Sequence, residues 1–178
     1  MCDTGSIEAL VLPESLSETT RIDRDMINRL GPDPGSYILL LYSRKEQVVT
    51  VGRLGQLKTR SGYYLYVGSA FGPGGIKARL GHHSRVVAKF HWHIDYLRQH
   101  LALIECWYTD YPQRLERDWC EALSDHPDVS IPFKGFGASD DPGHAHLFYS
   151  AVRPELLHFK PALVSSEEGL KINVITDC

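Results

Sequence analysis

The sequence predicts an α/β domain of the α+β kind, a small central antiparallel sheet flanked by helices. Three observations predict it. Apolar, β-branched and aromatic residues gather in short runs between residues 36 and 67, the length of strands rather than of core helices. Turn residues follow one another closely through that stretch, which favours strands that reverse on their neighbours over parallel crossovers. Beyond residue 75 the apolar spacing changes to the three-and-four rhythm of amphipathic helices. With 178 residues, 43% of them apolar, the chain has the size of one domain that folds around its own core.

Residues 1–20 show no period and are expected to be loop or tail. Ile22, Met26, Ile27 and Leu30 fall at helical spacing, and Gly31-Pro32-Asp33-Pro34-Gly35 ends that helix. An N-terminal extension over 1–34 with one short helix is therefore expected ahead of a main domain over 35–152. Ser36 to Ser43 reads as a first strand, Val48 to Val51 as a second paired to it as a hairpin, and Tyr63 to Val67 as a third. A helix is expected from Gly75 to Ser84, with Ile76 and Leu80 inward and Arg79 and His83 sharing one face. Phe90 to His100 reads as another helix, with Trp92 and Tyr96, and with them Ile94 and Leu97, as candidates for its inward side, and Leu101 to Tyr108 as a strand. Asp110 is placed to cap a helix that has Pro112 in its first turn and Leu115, Trp119 and Leu123 as its buried stripe. Ile131 to Asp140 reads as a Gly-rich loop and Ala145 to Val152 as the last strand. Residues 153–178 read as a peripheral C-terminal extension, with capping-box spacing at Ser165 and Glu168.

Composition narrows the functional classes. No run of 18 apolar residues marks a membrane span. Met1 to Leu12 lacks the basic start of a secretory signal. Cys2, Cys106, Cys120 and Cys178 form no C-x-x-C pair and suggest neither a disulfide framework nor a zinc finger. A cytoplasmic location is expected. The net charge of −3 disfavours a strongly basic nucleic-acid binder, but its distribution is uneven. Within residues 77–100, Lys77, Arg79, Arg85, Lys89 and Arg98 stand against Asp95 alone, with His82, His83, His91, His93 and His100 among them. Such a stretch is a candidate phosphate-facing surface.

Gly35-Ser36-Tyr37 opens the first strand and Tyr66-Val67-Gly68 closes the third, followed by Ser69-Ala70; Arg79 and His83 lie on the next helix and Leu115-Glu116 on a later one. This ordered set, over residues 35–150, resembles the GIY-YIG nuclease family, which includes homing endonucleases and the incision subunit of bacterial excision repair. The run Tyr66 to Ala70 is similar to the second motif of a phage homing endonuclease. The runs His91 to Leu97 and Gly135 to Asp140 resemble a sparsely characterised prokaryotic branch of that superfamily. Two departures stand out: Ser36 replaces an isoleucine, which predicts a less buried strand face, and Gly72 to Gly75 lengthen the gap before Arg79.

The resemblance implies a sheet of the GIY-YIG type and metal-dependent hydrolysis of a phosphodiester backbone, with DNA foremost and RNA as the alternative substrate. Tyr37 would act as general base or orient the water, ionising in the field of Arg79 and a bound metal. Arg79 would grip the phosphoryl oxygens. Glu116 would hold one Mg2+ (or Mn2+). Tyr66 and His83 would orient water or relay protons. Gly68, Ser69, Lys77, His91 and His93 would contact substrate. Two alternatives stay open. One is a nucleic-acid-binding module of the same fold with weak or lost activity. The other is a zinc-dependent hydrolase, using His91, His93 and Asp95 if that stretch were a strand, or His144 and His146.

Overall fold

The computed structural model describes residues 22–137, 144–164 and 169–176. Its centre is a five-stranded antiparallel sheet built from β1 (Ser36–Ser43), β4 (Gly62–Ser69), β5 (Ala102–Thr109), β6 (Leu147–Ser150) and β7 (Asn173–Thr176), in the order β6-β4-β1-β5-β7. β1 lies in the middle, which explains its sequence. SYILLLYS does not alternate because both of its faces are covered. A strand bordered on two sides and roofed on two faces has almost no place for a polar side chain.

Helices cover both faces. On one, Tyr37, Leu39, Leu41, Tyr64, Tyr66 and Cys106 pack with residues of α1 (Arg24–Asn28), α2 (Gly75–His83) and α3 (His93–Arg98). On the other, Ile38, Leu40, Leu65, Val67, Trp107 and Phe148 pack against Trp119 and Leu123 of α4 (Glu116–Ser124) and Phe159 and Leu163 of α5 (Leu156–Leu163). The mixed α+β class with a central antiparallel sheet is thus as the sequence predicts. Among the described residues, no helix is long and apolar enough to cross a membrane.

Several expectations are corrected. The second strand, β2 (Gln47–Val51), does not pair with β1. It forms a separate two-stranded sheet with β3 (Gly55–Thr59), a strand the sequence reading left out. β1 instead pairs directly with β4 over its whole length, Ser36 opposite Ser69 and Ser43 opposite Gly62. The meander is therefore interrupted by an inserted hairpin. α3 is shorter than the expected 90–100 helix, and Trp92, expected inward, lies 37% exposed, while Ile94 and Leu97 are buried. α4 begins at Glu116, with no cap from Asp110. The C-terminal segment is not peripheral: β7 closes one edge of the sheet, and Phe159, Leu163, Leu170 and Ile175 belong to the core. The spacing at Ser165 and Glu168, the tail over 1–20, and Ala138 to Gly143 lie outside the described residues.

Candidate active site

The candidate residues gather at one end of the sheet, where β1 begins and β4 ends. Antiparallel register sets Tyr37 opposite Gly68 and Leu39 opposite Tyr66. Both phenols lie on the face covered by α2 and α3, Tyr37 3% and Tyr66 7% exposed. Gly68 makes this arrangement possible. A Cβ at that position would sit 2.4 Å from the Tyr37 hydroxyl oxygen, closer than any side chain can be placed. Its role here is to leave room for Tyr37.

α2 follows β4 and carries the next partners. The Tyr37 hydroxyl and His83 Nε2 share a 2.9 Å hydrogen bond, and the Tyr66 ring meets His83 edge-on at 6.4 Å between centroids. His83 is fully buried, and its Nδ1 has no hydrogen-bond partner. Arg79, one turn earlier, is half-buried, its guanidinium 4.1 Å over the Trp92 ring. It lines an open pocket of about 190 Å³ with Ala70, Gly72, Pro73, Gly75, Ala78 and Trp92. Lys77 and His91 are exposed nearby. His93 turns elsewhere: its Nδ1 accepts the Gly137 N–H at 3.1 Å and so anchors the Gly-rich loop. Arg98, counted from sequence with the basic surface, is buried and donates to the carbonyls of His83 and Leu101.

Glu116 arrives from the opposite face. The Ser69 hydroxyl donates to its Oε2 at 2.5 Å, and His146 Nδ1 lies 3.2 Å from its Oε1. Arg114 reaches Ser69 Oγ at 3.4 Å and stacks over Phe71. Ser36 explains how α4 is aimed. Its side chain is fully buried, contrary to expectation, and its hydroxyl accepts the Leu115 N–H at 3.1 Å. Ser36 is thus a capping group supplied from β1 to the start of α4, next to Glu116. The loop closes the other side. Gly137 has φ of +78°, and a Cβ there would press His146 Cβ at 2.7 Å and the Tyr66 ring at 3.3 Å. Phe136 meets Tyr66 edge-on.

The electrostatics divide this cluster. Tyr37 is held well above the ordinary tyrosine value, first by burial and then by Tyr66, with Arg79 opposing and Glu116 adding. Tyr66 is raised too, by burial and Glu116, again opposed by Arg79. Both phenols therefore feel the same guanidinium and the same carboxylate, which brings the predicted set together around one sheet end. Of the two charges expected to ionise Tyr37, Arg79 alone does not do so: burial outweighs it and keeps the hydroxyl protonated in the metal-free chain. Burial, His82, Arg79 and Arg98 push His83 well below its ordinary value, so its ring is neutral. Burial raises Glu116, but hydrogen bonds from His146 and Ser69 outweigh it and leave the carboxyl below its usual range.

Glu116 is thus an anion at neutral pH, with its side chain 26% exposed. Each carboxylate oxygen keeps a lone pair beyond its hydrogen bond. This suits Mg2+, which needs only one or two carboxylates and retains its waters. The zinc alternatives read from sequence do not assemble: His91 and His93 diverge, and His144 pairs with Glu121 while His146 pairs with Glu116. Among the described residues, the group with metal-ligand spacing is His82, His83 and Asp95. Sequence reasoning did not single out Arg114, and it named His146 and Asp95 only as zinc ligands, not as the partners of Glu116 and His82. His146 stands immediately before β6, whose Leu147 pairs with Tyr66, a neighbourhood that the sequence did not reveal.

A family model described as a domain of unknown function, DUF123, matches residues 36–167. No curated protein and no solved structure matches the chain.

Proposed function

The chain belongs to the DUF123 family, and we propose that this member is a Mg2+-dependent nuclease of the GIY-YIG type that cuts the phosphodiester backbone of nucleic acid, DNA foremost. One observation carries the reading. Two neutral phenols at a single sheet end each feel the Arg79 guanidinium and the ionised Glu116 carboxylate, four groups from four separate elements, and Arg79 lines an open pocket there. A phosphodiester needs charge neutralisation, a proton acceptor for the attacking water and a group that fixes the phosphate.

Glu116 would hold the Mg2+, which when bound offsets phosphate charge and acidifies the attacking water. Arg79, at the pocket wall, places its planar donors toward phosphoryl oxygens, and Trp92 stacking keeps the guanidinium in position. Arg114, just before α4 and stacked over Phe71 of the connection from β4 to α2, adds a second cation. As the water oxygen bonds to phosphorus and the bond to the departing sugar oxygen breaks, Tyr37 takes the water's proton while passing its own to neutral His83 through their 2.9 Å bond, and solvent protonates the departing oxygen. This route does not require Tyr37 to be ionised beforehand, which its burial disfavours. Tyr66 orients the water, and Ser69 and His146 hold the Glu116 carboxylate in place.

The test is incubation of the full chain, first stripped of bound metal, with branched, flapped and single-stranded DNA and with RNA, in added Mg2+ or Mn2+. Cutting of at least one substrate is expected, stopped by chelator and abolished by Glu116→Gln. No cutting of any substrate would sink the reading. Salt-dependent binding without turnover would favour a non-cleaving module instead.

A further inference from the structure

Beside the proposed nuclease centre lies a second cluster that the cutting chemistry does not use. We propose that His82, His83 and Asp95 form a binding site for a divalent transition-metal ion, with Zn2+ as its natural occupant, distinct from the Mg2+ expected at Glu116. One ligand atom from each of the three lies within 4.8 Å of the others. His82 and His83 are consecutive on α2, and Asp95 comes from the first turn of α3, so the site forms only when the two helices pack.

Each member is already prepared. Asp95 is buried, and its Oδ2 is fixed by the N–H groups of His91 and Trp92 at 2.8 and 3.0 Å. That leaves Oδ1 facing His82 Nε2 at 2.9 Å. Backbone donors behind a carboxylate are the outer support that orients a metal ligand. In the metal-free state a proton lies between His82 and Asp95, and metal binding displaces it. His83 supplies the independent sign. It is 1% exposed, its Nε2 is engaged by Tyr37, and its Nδ1 is a buried polar atom with no hydrogen-bond partner. Buried nitrogens are rarely left so, and a metal would satisfy this one. The His82 side chain is 22% exposed and gives the ion its way in, beneath exposed His91 and Trp92.

Ligand type decides the ion. Two imidazoles and one carboxylate suit zinc and its first-row neighbours, whereas Mg2+ takes oxygen ligands. Three protein ligands leave a fourth position open, which His91 stands near, its ring 6.3 Å from that of His82. Coordination through Nδ1 also fixes the other nitrogen of His83 as N–H, pointing at the Tyr37 oxygen. His83 can then no longer take the Tyr37 proton, so a filled site and cutting exclude each other. This last consequence rests on the nuclease reading; the site itself does not.

The experiment titrates the metal-stripped full chain with Zn2+, and with Co2+ as its spectroscopic substitute, without nucleic acid. One equivalent per chain is expected, with a tetrahedral or five-coordinate Co2+ spectrum and a slowly exchanging His83 Nε2–H resonance by NMR. Asp95→Asn also alters the acceptor of the His91 and Trp92 N–H groups, so His82→Ala, at a partly exposed ring, carries the test. Binding weaker by at least about 10-fold is expected there, while Glu116→Gln keeps the full equivalent. Absence of a stoichiometric site, undiminished binding by His82→Ala, or loss of it in Glu116→Gln would overturn the proposal. Failure to cut nucleic acid would leave this result untouched.

Discussion

The two faces of the sheet meet the candidate site with opposite chemistry. On the α2 side, Tyr37, Tyr66 and His83 are buried, ring-packed and neutral. On the α4 side, Glu116 is partly exposed and anionic, held by a hydroxyl and an imidazole. The elements lie around one strand end, yet desolvation rules the first group and hydrogen bonding the second. A fold that separates two environments by the thickness of one strand can keep a hydrogen-bonded tyrosine and histidine uncharged beside a carboxylate anion. Gly68 and Ser69 mark the boundary: the first lets Tyr37 close over the strand, and the second reaches the carboxylate.

This contrast is open to attack from each side. Tyr37→Phe keeps the ring and its packing but removes the hydroxyl bonded to His83. On the proposed chemistry, cutting falls by about 10²–10⁴-fold, the worth of a positioned proton-transfer group, with substrate affinity unchanged. An equal rate would confine Tyr37 to the core. His146→Ala acts on the other side and only through Glu116. Rate, or affinity for Mn2+, is expected to drop by about 10–100-fold, as for other groups that orient a metal ligand. A variant cutting at the full rate with unchanged Mn2+ affinity would show that Ser69 alone suffices.

The smallest expected effect concerns protonation. Tyr37 and Tyr66 are raised above the ordinary tyrosine value in the folded chain, whereas the unfolded chain ionises them near about pH 10. Their neutral forms therefore contribute stability that is fully present below that pH and is lost as pH rises toward the folded values. Denaturant midpoints measured across that range should fall with pH, and fall less steeply in Tyr37→Phe. An unchanged slope would mean that the Tyr37 hydroxyl is not desolvated.

Much of this architecture was readable from residue order, and the exceptions share a cause. The unbroken apolar run of β1 and the Ile76 and Leu80 stripe of α2 are local patterns, and both elements lie where spacing places them. β3 (GQLKT) carries a single apolar side chain and β7 (NVIT) is only four residues long; their partners make them strands. The start of α4 was misplaced because its capping group is Ser36, 79 residues earlier in the chain. Likewise, the set Tyr37, Tyr66, Arg79 and Glu116 was visible as spaced motifs. The neutrality of Tyr37 was not, since desolvation depends on what packs around the hydroxyl. His93 shows the converse: it sits in a basic stretch but spends its nitrogen on the Gly-rich loop.

The central claim is that the neutral side and the charged side serve one bond-breaking event. A double-mutant cycle on single-turnover cutting of flapped DNA tests it, pairing Tyr37→Phe with Glu116→Asp, a change that retains the charge. Groups that act together on one step are grossly non-additive when removed. The account predicts a double variant little slower than the worse single variant. Losses that multiply in full would contradict it and assign the two faces to separate tasks.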